Sequence, residues 1–133
     1  MSQFPTHQRA PLLAVHTETR HDTIEIVRVR GEVDLLTAPE LTRHIEIAMD
    51  KQPSAIIIDL TDVDFLASYG MAILVQTKER LPQTTRLAVV ADGPATSRPL
   101  TVVGLTDVLS VRPTIDAALA AVADENGDTW TVR

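Results

Sequence analysis

A short apolar segment near the middle of the chain most limits how this protein can fold. Residues 55–60 have the sequence AIIIDL, with three consecutive isoleucines. The segment is too short for a stable helix, and in an extended conformation it presents apolar side chains on both faces. Such a strand has to be buried from both sides. We therefore predict a central strand in an α/β domain whose sheet is covered by helices.

Strands and helices alternate on both sides of this segment. The further predicted strands cover residues 12–18, 23–30, 87–90 and 108–111, and the short turn at 20–22 favours an antiparallel hairpin. Helices are predicted between Thr37 and Pro53, from Ser68 to about residue 81, over 95–103 and after Thr114, which is predicted to cap the last helix. The resulting order, β-β-α-β-α-β-α-β-α, indicates a small mixed sheet with helices packed over it.

Local signals mark the starts of two of these helices. Thr37 followed by Glu40 is typical of a capping box. An apolar stripe at helical spacing follows it, formed by Leu41, Ile45, Ala48 and Met49. Ser68 occupies the expected N-cap position of the second helix, after a loop predicted over residues 61–67.

The length and the absence of cysteine limit the class of protein. A chain of 133 residues is one ordinary domain, which we expect to span residues 11–123 with flexible tails at 1–10 and 124–133. The lack of cysteine excludes disulfides, thiolate zinc sites and cysteine nucleophiles. No apolar run reaches the length of a membrane span and no signal peptide is recognisable, so a cytoplasmic protein outside the membrane is expected.

Charge and motifs argue against several other activities. The net charge of −6 disfavours direct nucleic-acid binding, because no basic face can outweigh the overall repulsion. The four histidines lack the spacing of a zinc helix, so no metal site is predicted. A glycine-rich phosphate loop and a G-x-S-x-G elbow are both absent. We therefore predict no catalytic residues, no cofactor and no enzyme activity.

One cluster of polar residues follows the central strand. Asp59, Asp62 and Asp64 lead to Ser68 and then Gly70 at the start of the second helix. On spacing alone, the simplest interpretation is structural: the serine caps the helix, the aspartates solubilise a loop and the glycine allows close packing.

These residues also carry a family resemblance. Residues 57–71 (IIDLTDVDFLASYGM) resemble the signature of STAS domains, in particular that of the bacterial anti-sigma-factor antagonists. Upstream, residues 31–34 (GEVD) are similar to a second family motif, and residues 93–95 and 103–105 resemble later landmarks. The likeness extends from about residue 12 to residue 123. It implies a mixed sheet of four or five strands, with about four helices packed mainly on one face.

The resemblance further implies a regulatory function. Such a protein binds an anti-sigma factor, often a serine kinase, and thereby releases a sigma factor. In these families the kinase phosphorylates a serine at the start of a helix, which by position is Ser68 here. The partner-binding surface implied by the resemblance comprises Asp34, Asp64, Ala67, Ser68, Tyr69, Gly70 and Met71. A monomer or weak dimer is expected.

Two departures from the family pattern leave other functions open. The family usually has aspartate before the serine, where this chain has Ala67, and a small residue after it, where this chain has Tyr69. These changes favour a STAS domain that is not phosphorylated and acts as a constitutive antagonist or a scaffold. An accessory subunit of a membrane transporter is a third possibility. Binding of a small ligand or nucleotide is a fourth, which the missing phosphate loop disfavours.

Overall fold

The computed structural model describes the backbone of residues 12–131 and the side chains of residues 12–123. Strands and helices alternate through it as β1 (Leu13–Arg20), β2 (Ile24–Val33), α1 (Ala38–Asp50), β3 (Ala55–Leu66), α2 (Ser68–Arg80), β4 (Arg86–Val90), α3 (Ser97–Val102), β5 (Val111–Arg112) and α4 (Ile115–Thr131). This is the predicted order of elements. The tail predicted over residues 1–10 lies outside the described residues. The backbone of α4 extends beyond residue 123, and the flexibility of residues 124–133 stays a prediction.

The strands form one mixed sheet in the order β1-β2-β3-β4-β5. The first two strands pair antiparallel, with Arg20 opposite Ile24, and every later pairing is parallel. The turn between β1 and β2 places His21 and Asp22 at φ values of 56° and 66°. Paired positive φ values are typical of the tight turns that match the twist of a hairpin. The predicted hairpin is therefore confirmed.

Helices cover both faces of the sheet, but unequally. The first face packs against α1, α2 and α3 through Ile56, Ile58 and Leu60 of β3. The second face packs against α4, whose Ala118 and Val122 contact the apolar cluster of the opposite side of the strands. The isoleucines of β3 are fully buried, as the sequence predicted. Three helices on one face and one on the other agree with the arrangement that the resemblance implied.

The loop predicted over residues 61–67 is wrong, because β3 continues through Leu66. Its second half pairs with the end of β2, which itself continues past Gly31, and Val33 lies opposite Leu66. Two register shifts interrupt this pairing. They let Val63 and Leu66, three positions apart, both face the interior while the residues between them remain exposed.

Capping follows the prediction at one helix and departs from it at another. Thr114 caps α4, since its hydroxyl accepts a hydrogen bond of 3.0 Å from the backbone N–H of Ala117. The capping box predicted for α1 is wrong: the Thr37 hydroxyl donates to the carbonyl of Glu32 at 2.7 Å. Glu40 instead accepts a hydrogen bond from Arg43. The apolar stripe of α1 is confirmed, with Leu41, Ile45 and Ala48 buried and Met49 partly buried.

Candidate protein-binding surface

The carboxyl ends of parallel strands meet at one edge of the sheet. The connections from β2 to α1, from β3 to α2 and from β4 to α3 all begin there. This edge is where open α/β sheets usually bind their ligands. The predicted site residues lie in or next to the first two connections.

Ser68 is exposed and is the first residue of α2. Its predicted N-cap role is wrong, because Ala67 is the N-cap and no side chain caps this helix. The backbone N–H of Ala67 donates to the carbonyl of Val33 at 2.9 Å, and the first helical bond runs from Met71 to Ala67 at 3.1 Å. The N–H groups of residues 68–70 precede that bond and point toward the helix start, where a negative group is favoured.

Gly70 lets the start of α2 lie against the ends of β2 and β3. A Cβ at this position would lie 2.6 Å from Cγ1 of Val33 and 2.9 Å from Cδ1 of Leu66, closer than real contacts allow. The residue is buried accordingly. Close packing here fixes where Ser68 stands relative to the sheet.

An apolar groove of about 650 Å³ lies beside the start of α2. It is lined from the β3–α2 side by Asp64, Phe65, Leu66 and Met71, and from the α3 side by Pro94, Ala95, Arg98, Pro99, Val102 and Val103. Phe65 and Val102 are large apolar side chains that are more than half exposed. Two predicted site residues, Asp64 and Met71, therefore share one surface.

Tyr69 lies on a different side of Ser68. It is half-exposed and lines a second groove of about 330 Å³ between α1 and α2, together with Pro39 and Arg43. The predicted residues Met71 and Tyr69 therefore line different grooves, and the exposed Ser68 precedes both in sequence.

Asp34 lies in the connection from β2 to α1, and its carboxylate is engaged within that loop. One oxygen, Oδ1, accepts hydrogen bonds from the backbone N–H groups of Leu36 at 3.0 Å and Thr37 at 3.1 Å. The sequence interpretation missed Leu35 and Leu36, which are 65% and 80% exposed. The signal that could have found them is a pair of leucines directly after a recognised motif.

Charged residues of both signs lie near this edge, since Arg98 lines the apolar groove beside Asp64 and Arg30 lies opposite Asp62. Glu32, Asp62 and Asp64 are exposed. Away from the edge, Glu18 forms ion pairs with Arg20 at 2.8 Å and with Arg28 at 3.2 Å. The hydrogen bonds from Arg20 and Arg28 hold the pKa of Glu18 below its usual range.

In the part of the chain that the structure describes, no group of three or more histidine, aspartate or glutamate side chains is placed to hold a metal ion. No helix within the same residues has the length and apolar character needed to cross a bilayer.

Exposed leucines and an apolar groove at one edge of an α/β sheet are typical of a surface that contacts another protein. The sequence profile of the STAS domain matches residues 16–118, and the chain therefore belongs to the STAS domain family.

Similar proteins agree with this assignment. The chain is 35% identical over 113 residues to the anti-sigma-F factor antagonist RsfB of Mycobacterium tuberculosis, covering 85% of this chain and 93% of the relative. It is 42% identical to an anti-sigma factor antagonist from Mycobacterium paratuberculosis of known crystal structure, with a TM-score of 0.79, covering 84% of this chain and 94% of that one. The anti-sigma factor antagonist SpoIIAA in its unphosphorylated form has the same fold at 18% identity, with a TM-score of 0.67, over 84% of this chain and 97% of that one.

Proposed function

We propose that this protein is an anti-sigma-factor antagonist, which binds an anti-sigma factor and thereby releases a sigma factor. The observation that carries the proposal is the exposed Ser68 at the uncapped start of α2, beside an apolar groove. Two relatives above 30% identity are named as antagonists of this kind, which supports the same function here. The protein acts in the cytoplasm, as a monomer or weak dimer, without catalysis of its own.

Phosphorylation of Ser68 is the proposed switch, with the anti-sigma factor itself as the serine kinase. A phosphate adds about −1.5 to −2 charges at pH 7. The free N–H groups at the start of α2 stabilise such a group by roughly 0.3–1 kcal/mol, so the fold of the antagonist persists. SpoIIAA has been solved in a phosphorylated form with this same fold, which is compatible with that expectation.

The phosphate weakens the complex with the anti-sigma factor and leaves the fold of the antagonist unchanged. The paired ends of β2 and β3, which precede this serine, carry the exposed Glu32 and Asp64, so the phosphate adds negative charge near two acidic side chains. A partner surface docked over the serine offers the phosphate no water. Desolvation or like-charge contact of this kind costs several kcal/mol, which lowers affinity on the order of a hundredfold or more.

The deciding experiment incubates the protein with ATP and each purified anti-sigma kinase of its source, followed by intact-mass measurement and a binding assay. One phosphate on the parent that is absent from Ser68→Ala is expected. Ser54→Ala is the matched control: its hydroxyl bonds to Thr23 at the amino end of β3, whereas Ser68 follows the carboxyl end of that strand, so this variant keeps the phosphate. A phosphate that persists on Ser68→Ala would contradict the assignment of the site.

The second candidate is a STAS domain that binds its partner without being phosphorylated, as a constitutive antagonist or a scaffold. Tyr69 favours it, because a half-exposed phenol beside the acceptor serine would crowd a kinase cleft. Ala67 removes the acidic residue that precedes the serine in the family pattern. A stable complex without any phosphate would establish this candidate. Neither complex nor phosphate with any anti-sigma factor would leave the transporter accessory subunit as the function to test.

A further inference from the structure

We infer that Leu35 and Leu36 are the apolar anchor through which this protein holds its anti-sigma factor, and that Asp34 positions them without contacting the partner. The inference rests on the proposed function and deepens it. It departs from the sequence interpretation, in which Asp34 itself belonged to the binding surface.

The two leucines are unusually exposed for adjacent apolar residues. Leu36 is 80% and Leu35 65% exposed in a domain whose other leucines are mostly in the core. Contiguous exposed apolar residues on a monomer mark sites of protein contact, because leaving them in water is unfavourable.

The loop that carries them is held in place by its own hydrogen bonds. Oδ1 of Asp34 accepts from the N–H groups of Leu36 and Thr37. The Thr37 hydroxyl, nearly buried, accepts from the Asp34 N–H at 3.0 Å and donates to the Glu32 carbonyl at 2.7 Å. The Ala38 N–H donates to the Asp34 carbonyl at 2.8 Å. A loop fixed before binding loses little conformational entropy in the complex, which favours tight association.

The loop begins beside the start of α2. Val33, the residue before Asp34, accepts the hydrogen bond from the N–H of Ala67 and contacts the position of Gly70. A partner docked over the start of α2 therefore meets the leucines in the same interface. The occupant is the anti-sigma factor, which presents an apolar depression to the leucines and basic groups to the exposed Glu32 and Asp64.

Two substitutions separate the hydrogen bonds that the Asp34 side chain accepts within the loop from the negative charge that it carries. Asparagine keeps an Oδ1 acceptor for the two backbone N–H groups and removes the negative charge. Alanine removes both. If the carboxylate only holds the loop, asparagine preserves the anchor and alanine releases it.

The test measures binding of each variant, by titration calorimetry, to the purified anti-sigma factor that binds the parent in the experiment above. The double variant Leu35→Ala/Leu36→Ala is expected to bind at least about tenfold more weakly. Ile47→Ala removes another half-exposed aliphatic side chain, on α1, and is expected to stay within about twofold of the parent. Asp34→Asn should also bind within about threefold of the parent, whereas Asp34→Ala should match the double variant.

Urea unfolding of the same variants checks that a loss of binding is not a loss of fold. The leucine variants are expected to unfold at the parental midpoint, since both side chains are exposed. Parental affinity of the double variant would overturn the anchor. If Asp34→Asn bound the anti-sigma factor as weakly as Asp34→Ala does, the positioning role would be overturned, and the charge of Asp34 would itself contribute to binding. A parent that binds no anti-sigma factor would refute the proposed function itself, and this inference with it.

Discussion

Replacing Gly31 with alanine tests how closely β1 and β2 approach each other next to the binding edge. Gly31 and Gly93 have nearly the same φ, 109° and 107°. Their surroundings differ: a Cβ at Gly31 would lie 2.1 Å from the backbone oxygen of Leu12, whereas nothing lies within 4 Å of one at Gly93. The pair therefore separates backbone strain, which both variants share, from steric overlap, which only Gly31→Ala produces.

The magnitude follows from these two contributions. A non-glycine residue at such a φ destabilises the folded state by roughly 1–3 kcal/mol. Alanine offsets about 0.4–1 kcal/mol of this loss, because it restricts the unfolded chain more than glycine does. At Gly31 the Leu12 oxygen would have to move from 2.1 Å to at least 3.0 Å. That shift strains the hairpin by about 1–3 kcal/mol and breaks the bond from the Glu32 N–H to Leu12, worth about 0.5–1.5 kcal/mol. We therefore expect losses of about 3–5 kcal/mol for Gly31→Ala and about 1–2 kcal/mol for Gly93→Ala.

Urea unfolding followed by far-ultraviolet circular dichroism measures both losses, provided that the slope of free energy against urea stays the same in the variants. The decisive quantity is the difference between the two variants. Equal losses would refute the reasoning, because they would mean that β1 moves away from the new methyl group without cost.

Three further predictions concern helix ends and the ion pairs. Ser68→Asp should raise the free energy of unfolding by about 0.3–1 kcal/mol, because a carboxylate faces the free N–H groups of α2; a loss of stability in urea unfolding would contradict this. Thr114→Ala should cost about 1 kcal/mol in the same assay by removing the cap of α4, and a change below about 0.3 kcal/mol would show that the cap is dispensable. Glu18→Gln should be less stable than the parent at pH 7, because the lowered pKa of Glu18 stabilises the fold above its unfolded pKa of about 4.5. The difference should shrink as the pH falls through 4.5 and below, and a constant difference would mean that the charge of Glu18 is irrelevant.

The fold was predictable where side-chain patterns alone decide the structure. Residues 55–60 read as a buried strand because only a two-sided core accommodates them, and the helices had clear stops such as Pro53. The extension of β3 was not predictable from these patterns. Asp62 and Asp64 are typical of loops, and they lie in a strand because the end of β2 supplies hydrogen-bonding partners there. The strand predicted over 108–111 is similarly displaced, since turns occupy residues 106–110.

The sequence located the residues of the candidate site, but it did not predict their hydrogen bonds or which of their neighbours are exposed. The family motif located Ser68, and the structure places it exposed at the start of α2. The local sequence suggested a capping box between Thr37 and Glu40. In the structure the Thr37 hydroxyl donates to the Glu32 carbonyl instead. That carbonyl lies near Thr37 only because of the fold of the β2–α1 connection. The exposure of Leu36 could not be predicted either, because an apolar residue in a sequence is ordinarily assigned to the core.

The order of strands in the sheet, which equals their order along the chain, has a consequence for how the protein forms. Each new strand finds its neighbour already synthesised, so the sheet can grow from β1 to β5 without waiting for a distant segment. Each parallel pairing, such as that of Ile24 with Ala55, has to wait only for the helix between its two strands. In the same arrangement, one strand-to-helix connection can change in length or sequence without altering the path of the others. The choice of binding partner can therefore diverge among descendants of one gene while the order of folding is kept.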